Sequence, residues 1–222
     1  MGKINIAIDG PAGAGKSTIA KKAASELGFI YVDTGALYRT VGVFALEEGV
    51  KFDDIENLKK LLDKTVVRLK YEDGVQKVYC NGSDYSGKIR TPEASLAASD
   101  ISKIPLVREY LLSLQRDIAS ENDCVMDGRD IGTVVLPDAK IKIFLTADVE
   151  DRAQRRYKEL LEKGEEVDFD DVLEDMKKRD YQDSHREIAP LKPAADSVLV
   201  NTTGFTLDEA ISLMLKTIKD RL

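Results

Sequence analysis

The stretch Asp9-Gly10-Pro11-Ala12-Gly13-Ala14-Gly15-Lys16-Ser17-Thr18 constrains this chain more than any other. Gly10, Gly15, Lys16 and Ser17 keep the spacing of a phosphate-binding loop: glycine, four residues, glycine, lysine, then serine or threonine. Before it, Lys3-Ile4-Asn5-Ile6-Ala7-Ile8 is short and β-branched and predicts a buried strand. After it, Ile19, Ala20, Ala23, Ala24 and Leu27 recur at helical spacing, so a helix opens near Lys16 and stops at Gly28. Strand, glycine loop and helix are the context in which backbone N–H groups and a helix N-terminus can meet phosphates. Residues Gly10, Pro11, Ala12, Gly13, Ala14, Gly15, Lys16, Ser17 and Thr18 are therefore expected to form a nucleoside-triphosphate site. Lys16 would reach the β- and γ-phosphates, and the Ser17 hydroxyl would ligate Mg²⁺.

The rest of the chain extends this opening into an α/β rhythm. Phe29-Ile30-Tyr31-Val32 predicts a strand ending at Asp33-Thr34-Gly35, then a helix with Leu37, Val41, Phe44 or Ala45, and Leu46 toward a core. Strand and helix in alternation imply a parallel sheet. Residues 53–62 predict a short helix with Ile55, Leu58, Leu61 and Leu62 on one side. The pattern then changes. Residues 65–71 and 75–80 alternate, and Asp73-Gly74 and Asn81-Gly82 are favoured two-residue hairpin turns, so a small antiparallel meander interrupts the βαβ order. Thr91-Pro92-Glu93 starts a helix containing Ser99, and Ile104-Pro105 separates it from one carrying Val107, Leu111, Leu114 and Ile118, with Arg108 beside the apolar stripe.

Cys124-Val125-Met126 predicts a core strand ending in Asp127-Gly128-Arg129-Asp130-Ile131-Gly132-Thr133. Ligands of open α/β sheets lie at the carboxyl ends of strands, which places Asp127, Arg129 and Asp130 where chemistry would occur. Ile141 to Leu145 is another strand, followed by a helix with Arg152, Arg155 and Arg156 on one face. Beyond Gly164 a charged helix starts near Asp168, and Arg179, Asp183 and Arg186 share a face if it persists. Ser197 to Val200 is a last strand, and Thr206-Leu207-Asp208-Glu209 is a capping box for a final helix. His185, the one histidine, has no partner motif and is expected at the surface.

Composition narrows the partners. A net charge of −7 argues against nonspecific nucleic-acid binding, which needs a broad basic surface. An acidic chain with an anionic substrate must gather arginines locally instead. The longest apolar runs are strand-sized, so no bilayer-crossing segment is expected, and the N-terminus lacks a secretory pattern. Met1-Gly2 would suit myristoylation, but the sixth residue is Ile6. Cys80 and Cys124 belong to no CxxC pair, which suggests buried thiols in a reducing cytoplasm.

A triphosphate site alone leaves three classes: a small-molecule kinase, a nucleotide-gated ATPase or GTPase switch, or a motor subunit. No Asn-Lys-x-Asp guanine-reading stretch occurs, and 222 residues leave little room for a motor's partner domains. Arg39, Arg129, Arg179 and Arg186, with Arg152, Arg155 and Arg156, exceed what one triphosphate needs and suit two phosphorylated substrates placed end to end. Phosphoryl transfer relies on in-line positioning and electrostatic stabilisation, which arginines in a water-excluding closed site supply.

Over nearly its whole length the chain resembles the bacterial cytidylate kinases, a branch of the P-loop nucleoside-monophosphate kinases. The resemblance rests on Ile8 to Thr18, Asp33-Thr34-Gly35-Ala36-Leu37-Tyr38-Arg39, Ile89-Arg90-Thr91, Asp127 to Val135 and Ala189-Pro190-Leu191. It implies a three-layer α/β/α P-loop fold with a five-stranded parallel sheet, a small antiparallel β insert that binds the monophosphate, and a helical lid. The chain would be a single kinase domain, with core about 1–62, 92–150 and 187–222, insert about 63–91 and lid about 151–186. The implied reaction is phosphorylation of CMP and dCMP by ATP with Mg²⁺, by a cytoplasmic monomer with no nucleic-acid or membrane partner. A sibling acting on UMP or another small acceptor is the alternative within kinases.

Residue by residue, the resemblance implies that Arg39, Arg129, Arg179 and Arg186 hold the acceptor's phosphate. Ser99, Arg108 and Asp130 would read the cytosine, and Asp183 would take a sugar hydroxyl. Thr34, where relatives often carry serine, keeps the hydroxyl toward the acceptor. Lys16, Arg129, Arg179 and a lid arginine among Arg152, Arg155 and Arg156 would act on the transferring group. Mg²⁺ would sit at Ser17, with Asp33 or Asp127 reaching it through water. Asp130 has a physical logic of its own: a carboxylate accepts from cytosine's exocyclic amino group, whereas uracil would set an oxygen against it.

Overall fold

The computed structural model describes residues 2–72 and 75–222. The expected Asp73-Gly74 turn lies outside them. In chain order the elements are β1 (Asn5–Asp9), α1 (Lys16–Leu27), β2 (Ile30–Asp33), α2 (Thr34–Glu47), α3 (Ile55–Leu62), β3 (Val67–Glu72), β4 (Val75–Cys80), β5 (Ser83–Asp84), α4 (Pro92–Ile101) and α5 (Pro105–Glu121). Then follow β6 (Cys124–Gly128), β7 (Ile141–Thr146), α6 (Val149–Glu162), α7 (Phe169–Ser184), β8 (Val198–Asn201) and α8 (Leu207–Lys219). The five-stranded sheet has the order β2-β6-β1-β7-β8. The chain divides into two compact units, Met1–Tyr31 with Asn122–Leu222, and Val32–Glu121.

In the first unit β1 is the central strand, and helices cover a parallel sheet on both faces, so its residues have no solvated side to alternate with. Ile6, Ala7 and Ile8 are all fully buried. β1 runs parallel to β6, with Asp9 opposite Gly128, and parallel to β7, with Asp9 opposite Phe144. That register brings the carboxyl ends of β1 and β6 level, with β7 running two residues further to Thr146. Ile19, Ala20, Ala23 and Ala24 of α1 pack on one face with Met214 and Ile218 of α8. Gly28 closes α1 in the left-handed conformation at φ 69°, and Thr206 with Glu209 forms the reciprocal capping box that opens α8. A single π-helical turn, Ile131–Val135, follows β6, and no periodicity in the sequence announces it.

In the second unit, Leu37 and Val41 of α2, Leu58 of α3, Val78 of β4, Ile101 of α4 and Leu111 of α5 share one core. Two expected core residues are not in it: Leu46 and Ile55 are half exposed, because each lies at the edge of its helix's apolar stripe and at a helix end. β3, β4 and β5 form the antiparallel meander, and Asn81 and Gly82 join β4 to β5 with positive φ at both turn positions, as a two-residue hairpin of this kind requires. Thr91 caps α4 and accepts the Ala94 N–H at 3.1 Å, with Pro92 in the first turn.

Candidate active site

The glycine loop joins β1 to α1 within the first unit. Gly10 has no alternative: a Cβ there would lie 1.9 Å from the Leu145 carbonyl oxygen. Gly15 takes φ 83° and stands as the N-cap of α1 without a capping side chain, so the first N–H groups of the helix face the loop. Lys16 folds back over this loop, its Nζ donating to the Pro11 carbonyl at 2.7 Å. Burial and then the nearby Arg129 guanidinium lower its pKa to about 7, against the opposing pull of Asp127 and Asp183. The loop is thus a cationic cradle short of negative charge, the electrostatic state that a polyphosphate relieves.

Ser17 Oγ donates to Asp127 Oδ2 at 3.0 Å, while Tyr31 Oη donates to Asp127 Oδ1 at 2.8 Å. A hydroxyl beside a carboxylate at the mouth of a phosphate loop suits a hard cation with oxygen ligands. Among the described residues no three His, Cys, Asp or Glu side chains gather around a metal position. A cation there would lean on Ser17, Asp127 and the phosphates it accompanies.

The segment after β6 carries Arg129 and Asp130. Arg129 Nε donates to Asp183 Oδ2 of α7 at 2.7 Å. Burial alone would raise the Asp183 pKa, but Arg129, Arg186 and Arg179 outweigh it and hold the carboxyl below its ordinary value. The same pairing overcomes burial at Arg129 and raises the guanidinium pKa. Arg179, Asp183 and Arg186 therefore share one electrostatic neighbourhood with Arg129, although α7 ends at Ser184 and Arg186 lies past it. Asp130 is buried at the entry to the π-turn.

The three arginines expected on one lid face point to different partners. Arg152 is the one that reaches the glycine loop: Nη1 donates to Ala12 O at 3.0 Å, Nε to Ala147 O at 2.8 Å, and Nη2 to Asp180 Oδ2 at 2.6 Å. Arg155 instead donates to Thr202 O at 2.8 Å, and Arg156 pairs with Glu159 at 3.2 Å. A shared helix face fixes only the direction in which side chains leave; length and local acceptors decide the rest.

Thr34, Arg39, Ser99 and Arg108 belong to the second unit. Asp33 caps α2, its Oδ1 accepting the Ala36 N–H at 2.9 Å and its Oδ2 accepting from Arg39 Nη2 at 2.8 Å. Arg90 stands 3.7 Å from the same oxygen, and Gln76 of β4 accepts the Asp33 N–H at 2.9 Å. Asp33 thus holds the Arg39 guanidinium by its tip, while Nε is buried without a hydrogen-bond acceptor. Thr34 is buried at the first turn of α2. Ser102 links the last pair: its hydroxyl donates to Ser99 O at 2.9 Å, and its own carbonyl accepts from Arg108 Nη1 at 3.2 Å. Arg108 is buried, with its guanidinium 5.8 Å from the Tyr38 ring centre.

Sequence reasoning assigned nothing to Asp9, Asp180, Gln76 or Tyr31. Each acts through a partner 28 to 123 positions away, a relation without local periodicity. Asp9 alone carried a visible signal, as the acid directly before Gly10.

A phosphate loop between the central strand of a five-stranded parallel sheet and its helix, with the buried Arg152 bonded to the loop and Arg129 acting on Lys16, defines a P-loop kinase. The cytidylate kinase family model matches residues 6–220. The chain belongs to that family. It is 50% identical over 216 residues to a cytidylate kinase of Caldicellulosiruptor saccharolyticus, covering 97% of this chain and 96% of that one. It is 49% identical over 218 residues to the cytidylate kinase of Lactobacillus gasseri, covering 98% and 95%. A gluconokinase from Sinorhizobium meliloti 1021 shares the fold at a TM-score of 0.50, with 13% identity and coverage of 98% of this chain and 92% of that one. An uncharacterized protein from Eubacterium ventriosum superposes at a TM-score of 0.54 with 19% identity, covering 99% of both chains. ATP follows from the family as co-substrate. No helix among the described residues is long and apolar enough to cross a membrane.

Proposed function

We propose that the chain transfers the γ-phosphoryl group of ATP to CMP and dCMP, giving ADP with CDP or dCDP. The observation that carries the reading is Arg129, fixed by Asp183 and close enough to Lys16 to depress its pKa. That places an anchored guanidinium beside the donor cradle, as a second anionic group brought end to end with ATP would require. The phosphate-loop backbone, with Gly10 to Thr18, holds the triphosphate, and Lys16 neutralises it. Arg39, Arg129, Arg179 and Arg186 hold the acceptor phosphate. Ser99, Arg108 and Asp130 read the base, Asp183 takes a sugar hydroxyl, and Thr34 contacts the acceptor.

In-line transfer places charge on the equatorial oxygens of the moving group, and rigid guanidiniums stabilise it without reorganising. Arg152, already bonded to Ala12 O, is the lid arginine suited to that task. No protein base is needed, because the acceptor phosphate is ionised at neutral pH. Ser17 with Asp127 would hold Mg²⁺, which supplies charge neutralisation at the β- and γ-phosphates. In this reading residues about 63–91 are the monophosphate-binding insert and residues about 151–186 the lid. The chain acts as a monomer without nucleic-acid or membrane partners, and free Cys80 and Cys124 suit a reducing cytoplasm.

A coupled assay of ADP release with CMP, dCMP, UMP, AMP and dTMP tests this. CMP and dCMP should exceed UMP in kcat/KM by on the order of 100-fold or more, because a buried polar mismatch discriminates strongly. Equal use of UMP, or ATP turnover independent of any monophosphate, refutes it.

A further inference from the structure

Asp9 is the last residue of β1 and directly precedes Gly10 of the phosphate loop. Its side chain reaches the segment that follows β6. Oδ1 accepts the Ile131 N–H at 2.8 Å and Oδ2 accepts the Gly132 N–H at 2.7 Å. Both donors belong to the first residues of the π-turn that follows Arg129 and Asp130. The carboxyl is buried, 4% exposed, and burial raises its pKa to about 6; the two backbone hydrogen bonds are the largest interactions that favour its charge, ahead of Lys16. A buried carboxylate costs folding energy unless its hydrogen bonds accomplish something. These two bonds fasten the start of the turn by both oxygens.

We propose that Asp9 is a positioning residue for acceptor recognition: its carboxylate fixes the π-turn so that Asp130 and Arg129 hold the orientation in which the cytosine and the acceptor phosphate are met. The proposal rests on the reading of this chain as a CMP kinase. It makes Asp9 a joint between the two halves of one strand–loop unit. The same residue ends the strand that feeds the donor loop and pins the turn that reads the acceptor. A Cβ on Gly132 would lie 3.3 Å from Asp9 Oδ2 and 3.3 Å from Lys142 Cδ, so a side chain added there would push on this same contact by a few tenths of an ångström.

Asp9→Asn keeps the size of the side chain but turns one acceptor oxygen into an amide NH2, which sets a donor against a backbone N–H. Kinetics with CMP and UMP and a titration of a fluorescent ATP analogue without acceptor read the result. The expected outcome is a KM for CMP raised about tenfold or more, a CMP:UMP ratio of kcat/KM reduced about tenfold, and analogue affinity within about twofold of wild type. An unchanged CMP:UMP ratio overturns the proposal. So does a parallel loss of CMP and ATP-analogue affinity with the ratio kept, which would make Asp9 a support of the donor loop alone. If Asp9→Asn does not fold, Gly132→Ala presses on the same contact while keeping the carboxylate. It should lower the ratio at least threefold, and an unaltered ratio there is equally fatal. A wild-type chain that uses CMP and UMP alike fails at the earlier step and refutes the CMP reading itself.

Discussion

Lys16 carries a proton that the folded chain holds poorly, and nucleotide binding should reveal it. Burial and Arg129 lower its pKa from 10.5 to about 7. This corresponds to on the order of 5 kcal/mol against the charged form. A triphosphate settling on the loop supplies the missing negative charge and returns the pKa toward its ordinary value. At pH 8 a group of pKa about 7 is only about one-tenth protonated, so binding should take up about 0.9 proton at this residue. At pH 7 the uptake falls to about 0.5. Isothermal titration of a non-hydrolysable ATP analogue in buffers of different ionisation enthalpy measures the number, and Lys16→Met supplies the baseline. A difference between wild type and variant below about 0.2 proton at pH 8 would refute the argument. The same shift has a stability consequence of fixed sign. Between pH 7 and 10.5 the unfolded chain binds this proton more tightly than the folded one, so the ligand-free protein gains stability from Lys16 as pH rises through that window. Lys16→Met should abolish that slope and raise the melting temperature of the ligand-free protein near neutrality.

Asp130→Asn should lower kcat/KM for CMP and compress the CMP:UMP ratio by on the order of tenfold, measured by the coupled assay. Asp183→Ala removes the carboxylate bonded to the partly buried Arg129 and should cost about 1–2 kcal/mol in denaturant unfolding while raising KM for CMP and leaving ATP-analogue affinity intact. The Asp183 pKa lies below its ordinary value, so its stabilisation is present above that value and lost on acidification; the variant should show a shallower acid limb. Arg152→Lys keeps a charge but loses the fork that spans Ala12, Ala147 and Asp180. It should reduce kcat by on the order of 100-fold, with KM for CMP changed little in steady-state kinetics.

Local chemistry was legible in the sequence wherever one residue type answers one backbone need. Gly28 ends α1 because an αL position follows it, and Thr91 and Thr206 mark helix starts because their hydroxyls accept orphan N–H groups. The sheet followed from the alternation of apolar runs with helical periods. Periodicity was less informative at stripe edges, where Leu46 and Ile55 were expected inside and stand half exposed. The π-turn after β6 has no repeat to betray it. Around the candidate site, the sequence supplied residue types near strand ends but not their partners. That Arg152 turns to Ala12 while Arg156 turns to Glu159 depends on acceptors that only folding assembles.

The two cysteines give the molecule a built-in pair of reporters. Cys80 lies in the second unit and Cys124 in the first, both unbridged and buried. Burial pushes their thiols up to about 11 and about 12, so neither is a thiolate at neutral pH. An alkylating reagent can modify each one only during an excursion that opens its own unit. Pulsed labelling read by peptide mass spectrometry would therefore time the breathing of the β6 strand and of the meander separately, with no engineered probe.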